Sequence, residues 1–209
     1  MSKLNIDILN TKGAQVGSID IPENLLTIEG STKMIADVVR WQRNAKRAGT
    51  HSCLNRATKT KGGRKPHNQK GTGKARAGSR NSPTRVGGAV AFGPTPRDYS
   101  FSLNKKTRAK ALKIAVSQKF KDGFVKVIDK IEFSEPKTKN AIELLNKLEL
   151  NSQKVLFIGD REINFVKSIS NVQKVNFLNI SGINVYDILN ANYIVFSTEA
   201  FNSLIEKFN

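Results

Sequence analysis

Apolar and polar positions along this chain fall into two regimes. At the start, Leu4 to Leu9 mostly alternate, as a half-buried strand requires. Thr11-Lys12-Gly13 reads as a turn into a partner strand from Val16 to Ile21, which Pro22 ends. Ser31 is placed to cap a helix running to about Arg47, with Met34, Val38 and Trp41 on one stripe beside Ile35 and Val39. Beyond Asn104 the spacing predicts a helix that buries Ala109, Leu112, Val116 and Phe120, shows Lys106, Lys110 and Lys113 on another face, and stops at Gly123. Strands and helices then alternate. Strands are expected over Phe124–Ile128, Val155–Ile158, Val175–Leu178 and Tyr193–Phe196. Helices are expected over Thr138–Leu148, Ile163–Ile169, Val185–Leu189 and Thr198–Phe208, the last capped by Thr198. Continuous apolar strands between amphipathic helices imply an α/β fold. Its sheet is mostly parallel and flanked by helices, a Rossmann-like three-layer arrangement.

From Gly49 to Arg97 this patterning vanishes. Leu54 is the only large aliphatic side chain between Asn44 and Arg85, while nine of the 15 glycines lie between Gly49 and Gly93. Such a stretch cannot build its own core, and a loop this long in a compact domain is functional or disordered. The expected organisation is a discontinuous globular domain, residues 1–48 and 98–209, with residues 49–97 inserted as an extended basic arm. Doubled back on itself, such an arm reaches at most roughly 80 Å at about 3.3 Å per residue.

Charge sharpens the division. The net charge of +18 is confined: 20 Lys and Arg stand against the single acid Asp98 between Arg40 and Lys113, whereas the rest carries 15 against 16 acids. Confinement of this kind means that one region meets a polyanion. The most basic part has no apolar face to insert into lipid, which favours nucleic acid over a membrane. The candidate contacts are Arg40, Arg43, Lys46, Arg47, Arg56, Lys59, Lys61, Arg64, Lys65, Lys70, Lys74, Arg76, Arg80, Arg85, Arg97, Lys105, Lys106 and Arg108. The opening residues lack the apolar run of a secretion signal, and no stretch approaches the length of a membrane span.

Other chemistry finds little footing. Gly71-Thr72-Gly73-Lys74 fails as a phosphate-binding loop, because Asn68 stands where the first glycine belongs and Ala75 follows the lysine. The strand ending at Gly159-Asp160 is followed by Arg161-Glu162-Ile163-Asn164 rather than by a glycine-rich turn. His51 and His67, the only histidines, lie in the basic arm without a neighbouring acid, and Cys53 is the lone cysteine. No catalytic residue, metal site or cofactor is therefore expected. The histidines are read as contacts to bases or phosphates, with solvated loop positions as the alternative. Of the aromatics near Arg97, Phe101 is expected to pack, while Phe92 and Tyr99 are left open between packing and stacking.

A specific string runs through the arm: Lys65-Pro66, Gln69-Lys70-Gly71-Thr72-Gly73-Lys74-Ala75-Arg76-Ala77-Gly78-Ser79, Ser82-Pro83, Gly87-Gly88, Phe92-Gly93-Pro94 and Pro96-Arg97-Asp98-Tyr99-Ser100. Leu103-Asn104-Lys105-Lys106, Ala111-Leu112 and Pro136-Lys137-Thr138-Lys139 continue it. The string resembles the bacterial form of the fourth large-subunit ribosomal protein family, over essentially the whole chain. The resemblance implies a cytoplasmic, ribosome-bound structural protein, not an enzyme. It implies binding to 23S-type ribosomal RNA early in assembly, beside neighbouring large-subunit proteins. It also implies an arm that helps to line the nascent-peptide exit tunnel, with Lys65, Gly71, Thr72, Gly73, Lys74, Ala75 and Arg76 nearest the tunnel and the nascent peptide. Where family members often carry an aromatic residue before the glycine pair, this chain reads Ser82-Pro83-Thr84-Arg85-Val86, so no stacking contact is carried over to that spot.

Overall fold

The structure is a computed structural model that describes residues 5–208 apart from residues 12, 23, 24, 26, 27, 29, 61 and 62. Leu4, Lys12 and Lys61 of the expectations above lie outside the described residues. The chain divides into two units, one of residues up to Gln42 together with those from Ser102 onward, the other Arg43–Phe101.

In the first unit the elements run β1 (Asn5–Leu9), β2 (Gln15–Asp20), α1 (Thr32–Ala45, whose last turn enters the second unit), α2 (Lys105–Lys121), β3 (Val125–Ile128), α3 (Thr138–Lys147), β4 (Val155–Gly159), α4 (Ile163–Ile169), β5 (Val175–Asn179), α5 (Val185–Asn190), β6 (Tyr193–Ser197) and α6 (Thr198–Phe208). The six strands form one sheet in the order β2-β1-β3-β6-β4-β5. β1 and β2 pair antiparallel, and every other pairing is parallel. The α/β, mostly parallel sheet expected from the periodicity is therefore present, with one antiparallel edge strand. A side chain within hydrogen-bond reach closes the hairpin at that edge: Asn10 Oδ1 accepts from Ala14 N at 3.0 Å, and Gly13 takes a left-handed φ of +84°.

Strand β4 is buried at every position, which explains why its sequence shows no alternation. Its residues still divide by face. Leu156 and Ile158, with Ile194 and Phe196 of β6 and Val125 and Val127 of β3, pack in one cluster with residues of α1, α2, α5 and α6. Val155 and Phe157, with Val195 and Ile128, pack in a second cluster with residues of α3 and α4. The parallel register sets Leu156 beside Ile194 and Phe157 beside Val195, so the two strands present matching faces. The result is three layers, with helices on both faces of the sheet.

Two expectations are corrected. Ala109 is exposed, and α2 instead buries Ala111, Ile114, Ala115, Val116, Ser117 and Phe120. A single stripe presumes a single neighbour, but α2 is also met by other helices. Arg108 lies 4.8 Å from the Trp41 ring of α1, and Lys113 Nζ donates to the Phe208 carbonyl at the end of α6. The N-terminus of α6 is capped by Ser197 rather than Thr198: Ser197 Oγ accepts from Ala200 N at 3.2 Å, while Thr198 Oγ1 donates to the Ile128 carbonyl. At α1 the expected cap is present, with Ser31 Oγ accepting from Lys33 N at 3.2 Å.

Candidate nucleic-acid interface

Among the described residues, 46–104 contain no helix or strand, so something other than a regular ladder must order the second unit. Nor does it have an apolar core: within Arg43–Phe101 only Asn81 and Ala89 are buried among the described residues. Backbone hydrogen bonds between two runs of the chain take that place. Arg97 N donates to Gly49 O at 3.2 Å, Cys53 N to Pro94 O at 3.0 Å, and Val90 N to Leu54 O at 3.0 Å. The partners' numbers descend on one run as they ascend on the other, so the chain folds back antiparallel on itself.

Glycine permits this close approach. A Cβ on Gly49 would lie 2.0 Å from the Arg97 carbonyl oxygen, and one on Gly88 would lie 1.9 Å from the Ser82 carbonyl oxygen. Not every glycine in the unit acts in this way. Around Gly71 and Gly73 nothing lies within 4 Å of a built Cβ, and both adopt left-handed φ, +82° and +63°. These two serve backbone conformation, whereas Gly49 and Gly88 serve packing.

Side chains close the turns. Asn55 Oδ1 accepts from Ala57 N and Thr58 N, both at 2.9 Å, an Asx turn that leaves Arg56 exposed. Lys59 Nζ donates to the carbonyls of Gly87 and Gly88, the latter at 2.6 Å, and Asn81 Nδ2 donates to Lys59 O at 2.8 Å. Lys59 thus clamps the loop around Asn81. In the 64–80 stretch, Lys65 Nζ donates to Gln69 Oε1, and His67 Nε2 lies 3.0 Å from Ala75 O. Arg64, Lys65, Pro66, His67, Asn68 and Arg80 line a cleft of about 500 Å³.

Near the other end of the unit, Tyr99 gathers cations. The guanidinium carbons of Arg47 and Arg97 lie 3.7 and 4.4 Å from its ring centroid, and its hydroxyl is 3.0 Å from His51 Nε2. The electron-rich Tyr99 ring attracts both guanidinium groups despite their like charge. Asp98, the unit's single acid, accepts from Ser100 Oγ at 2.5 Å and Ser100 N at 2.8 Å, which holds its carboxyl below its ordinary value. Among the described residues it forms no ion pair with the cations beside it.

The candidate cations therefore have different environments. Arg40, Arg43, Arg56, Arg64, Lys70, Lys74, Arg76, Arg80, Lys105 and Lys106 are exposed, and no ion pair joins them to an acid among the described residues. Lys46 is exposed and Arg85 half-buried. Lys59 is committed to carbonyls, Lys65 reaches Gln69, and Arg47 and Arg97 share Tyr99. Arg108, in the first unit, stacks on Trp41 and buries an Nε without a partner. Thr72 and Ala75 are exposed, as are Gly71 and Gly73. Both histidines have intramolecular partners, so their stacking or phosphate contacts are not needed to explain their presence. Phe101, expected to pack, is 37 % exposed. Sequence reasoning missed the Lys59 clamp and the Tyr99 cluster. The Asn55-x-x-Thr58 spacing was the available signal for the turn that positions Lys59.

In the first unit, the carboxyl ends of the parallel strands open onto a small cleft of about 240 Å³. Asp129, Glu132, Asp160, Glu162 and Glu199 line it, together with Lys130 and Arg161. Glu162 is occupied there in accepting from Phe133 N at 3.0 Å. Among the described residues no group of three His, Cys, Asp or Glu side chains is arranged to hold a metal ion, and no helix is long and apolar enough to cross a membrane.

The model of the Ribosomal protein L4/L1 family matches residues 19–207. The chain is similar to the large ribosomal subunit protein uL4 of Natranaerobius thermophilus, 36 % identical over 203 residues, which is 97 % of this chain and 98 % of the relative. The proteins of the same name from Heliobacterium modesticaldum and Desulfotalea psychrophila are 40 and 41 % identical, over 97 and 95 % of this chain and 98 and 94 % of theirs.

Proposed function

The chain belongs to the Ribosomal protein L4/L1 family, structural and non-enzymatic proteins of the large ribosomal subunit, and from that premise we propose that its Arg43–Phe101 unit is the part that binds 23S-type ribosomal RNA. One observation carries the reading: among the described residues, exposed cations such as Arg56, Arg64, Lys70, Lys74, Arg76 and Arg80, none of them ion-paired, are concentrated in a unit with almost no apolar interior. Unpaired cations at this density repel one another, and phosphates relieve that repulsion. Arg40, Lys105 and Lys106 of the first unit add contacts of the same kind. Lys59 and Arg108 contribute by holding backbone and packing a helix rather than by meeting phosphate.

Binding of this kind orders the unit along the RNA and suits an early step of subunit assembly. On this reading the exposed stretch Gly71 to Arg76, with Lys65, lies at the nascent-peptide exit tunnel, beside neighbouring large-subunit proteins, in a bacterial-type cytoplasmic ribosome. The test is salt. With about ten phosphates neutralised, the logarithm of affinity should fall with the logarithm of salt with a slope of roughly −7, at about −0.7 per contact for single strands. A slope shallower than about −3 in a filter-binding titration would mean that the cations are solvated and the reading is wrong.

A further inference from the structure

The two runs of the Arg43–Phe101 unit are pinned on either side of a mismatch. Cys53 N donates to Pro94 O and Val90 N donates to Leu54 O, each at 3.0 Å. Between these bonds the first run advances by one residue, Cys53 to Leu54, and the second by four, Val90 to Pro94. The surplus residues Ala91, Phe92 and Gly93 must leave the pairing as a bulge. Gly93 is its inner foot: a Cβ there would lie 2.0 Å from Cys53 Sγ and 2.9 Å from Val90 Cγ1. Phe92 is the apex. Its φ of +52° is in the left-handed region, which bulky side chains rarely adopt, and its side chain is fully exposed. Leu54 and Val90, which bound the bulge, are more than half exposed.

A strained backbone and an unburied aromatic ring both lower the stability of the unit, and among the described residues no contact of the ring offsets them. Local rules broken without local compensation mark a functional position. The surroundings indicate the partner. The unit holds 14 Lys and Arg against the single acid Asp98. An apolar planar ring on a unit that carries that many cations suits a polyanion that itself offers apolar planar surfaces, which is RNA with unpaired bases. An apolar pocket of a protein would not need the cations. Resting on the ribosomal-RNA reading above, we infer that Phe92 is a base-stacking residue, presented by the 91–93 bulge to an unpaired base of the RNA.

The experiment uses the full chain and a transcript of 23S-type ribosomal RNA. Phe92→Leu keeps an apolar side chain and the same φ but removes the ring. It should weaken binding by roughly 5- to 140-fold, the range of alanine losses at stacking positions, and leave the salt slope unchanged. Phe92→Tyr should restore affinity to within about threefold, since a phenol stacks as a phenyl does. In Phe92→Trp, fluorescence above the Trp41 background should be quenched as the transcript is added. Thermal melts of the free variants should match wild type, because the side chain touches nothing. Unchanged affinity in Phe92→Leu, or no rescue by Phe92→Tyr, overturns the inference while the RNA reading stands. So does a defect that is absent with naked transcript and present only in subunits reconstituted with other proteins, which would assign the ring to a protein pocket. Failure of the wild-type chain to bind the transcript overturns the RNA reading itself.

Discussion

Single residues in the basic unit show how one amino-acid type serves opposite purposes. Gly93 and Gly73 both lie in the Gly-rich stretch, yet a methyl group on Gly93 collides with Cys53 Sγ, whereas one on Gly73 meets nothing. Gly93→Ala should therefore push the runs apart and expose the lone thiol, read as faster reaction of Cys53 with a disulfide reagent. Gly73→Val should carry only the left-handed backbone cost, about 1–2 kcal/mol, and leave the melting of the first unit within a few degrees of wild type. If Gly71 to Arg76 lie at the tunnel, ribosomes carrying Gly73→Val should respond differently to tunnel-binding antibiotics. Normal tunnel behaviour together with a destabilised chain would overturn that placement. Asp98 provides a titration test. Its carboxyl is held below its ordinary value by the Ser100 hydroxyl, then by the Ser100 amide. The depressed pKa means that its contribution to stability is full above the unfolded pKa and is lost as pH falls through the folded one. Ser100→Ala should move the Asp98 pKa upward in a carbon-detected NMR titration; an unmoved value would assign the shift to another cause.

At the scale of elements, short helices hold their place by anchors rather than by propensity. Helix α4 has only seven residues, too few to be stable alone. Its Phe165 is wholly buried, with ring centroids of Phe157, Phe133 and Phe177 at 5.1, 5.2 and 6.0 Å. Phe165→Ala should cost about 3–5 kcal/mol in urea unfolding, the range for deleting a core aromatic side chain. A loss below about 1 kcal/mol would mean that the second core cluster does not secure this helix. Ser197, at the end of β6, caps α6 through Ala200 N, and Ser197→Ala should cost about 1 kcal/mol with an unchanged denaturant slope. Helix α6 begins one residue after the strand ends, and the neighbouring hydroxyls Ser197 and Thr198 take different partners. Composition cannot separate two adjacent capping residues; the direction in which the chain leaves the sheet does.

For the molecule as a whole, the proposed division of labour has a direct test. Replacing residues 49–97 with a short Gly/Ser linker should leave a cooperative calorimetric transition, because both core clusters are built from residues outside that stretch. A molten or insoluble product would show that the basic segment belongs to the folding unit. The same deletion should abolish the steep salt dependence of RNA affinity.

Periodicity and composition alone contain the order and near-bounds of strands and helices: Ile163–Ile169 and Thr198–Phe208 are the same in expectation and structure. Those signals are local, since a buried stripe, a cap and a turn are written within a few residues of one another. The confinement of charge is equally legible, because it is a count along the chain. Strand order, the face that α2 buries and the fate of individual cations are not legible in this way. Lys59 finds its acceptors 28 and 29 residues away at Gly87 and Gly88, and Phe92 is turned outward because pairs closing at Leu54 and Pro94 leave its segment too long. Distant carbonyls and mismatched loop lengths are set only when the runs meet, and at that point some cations acquire partners within the chain while others remain exposed.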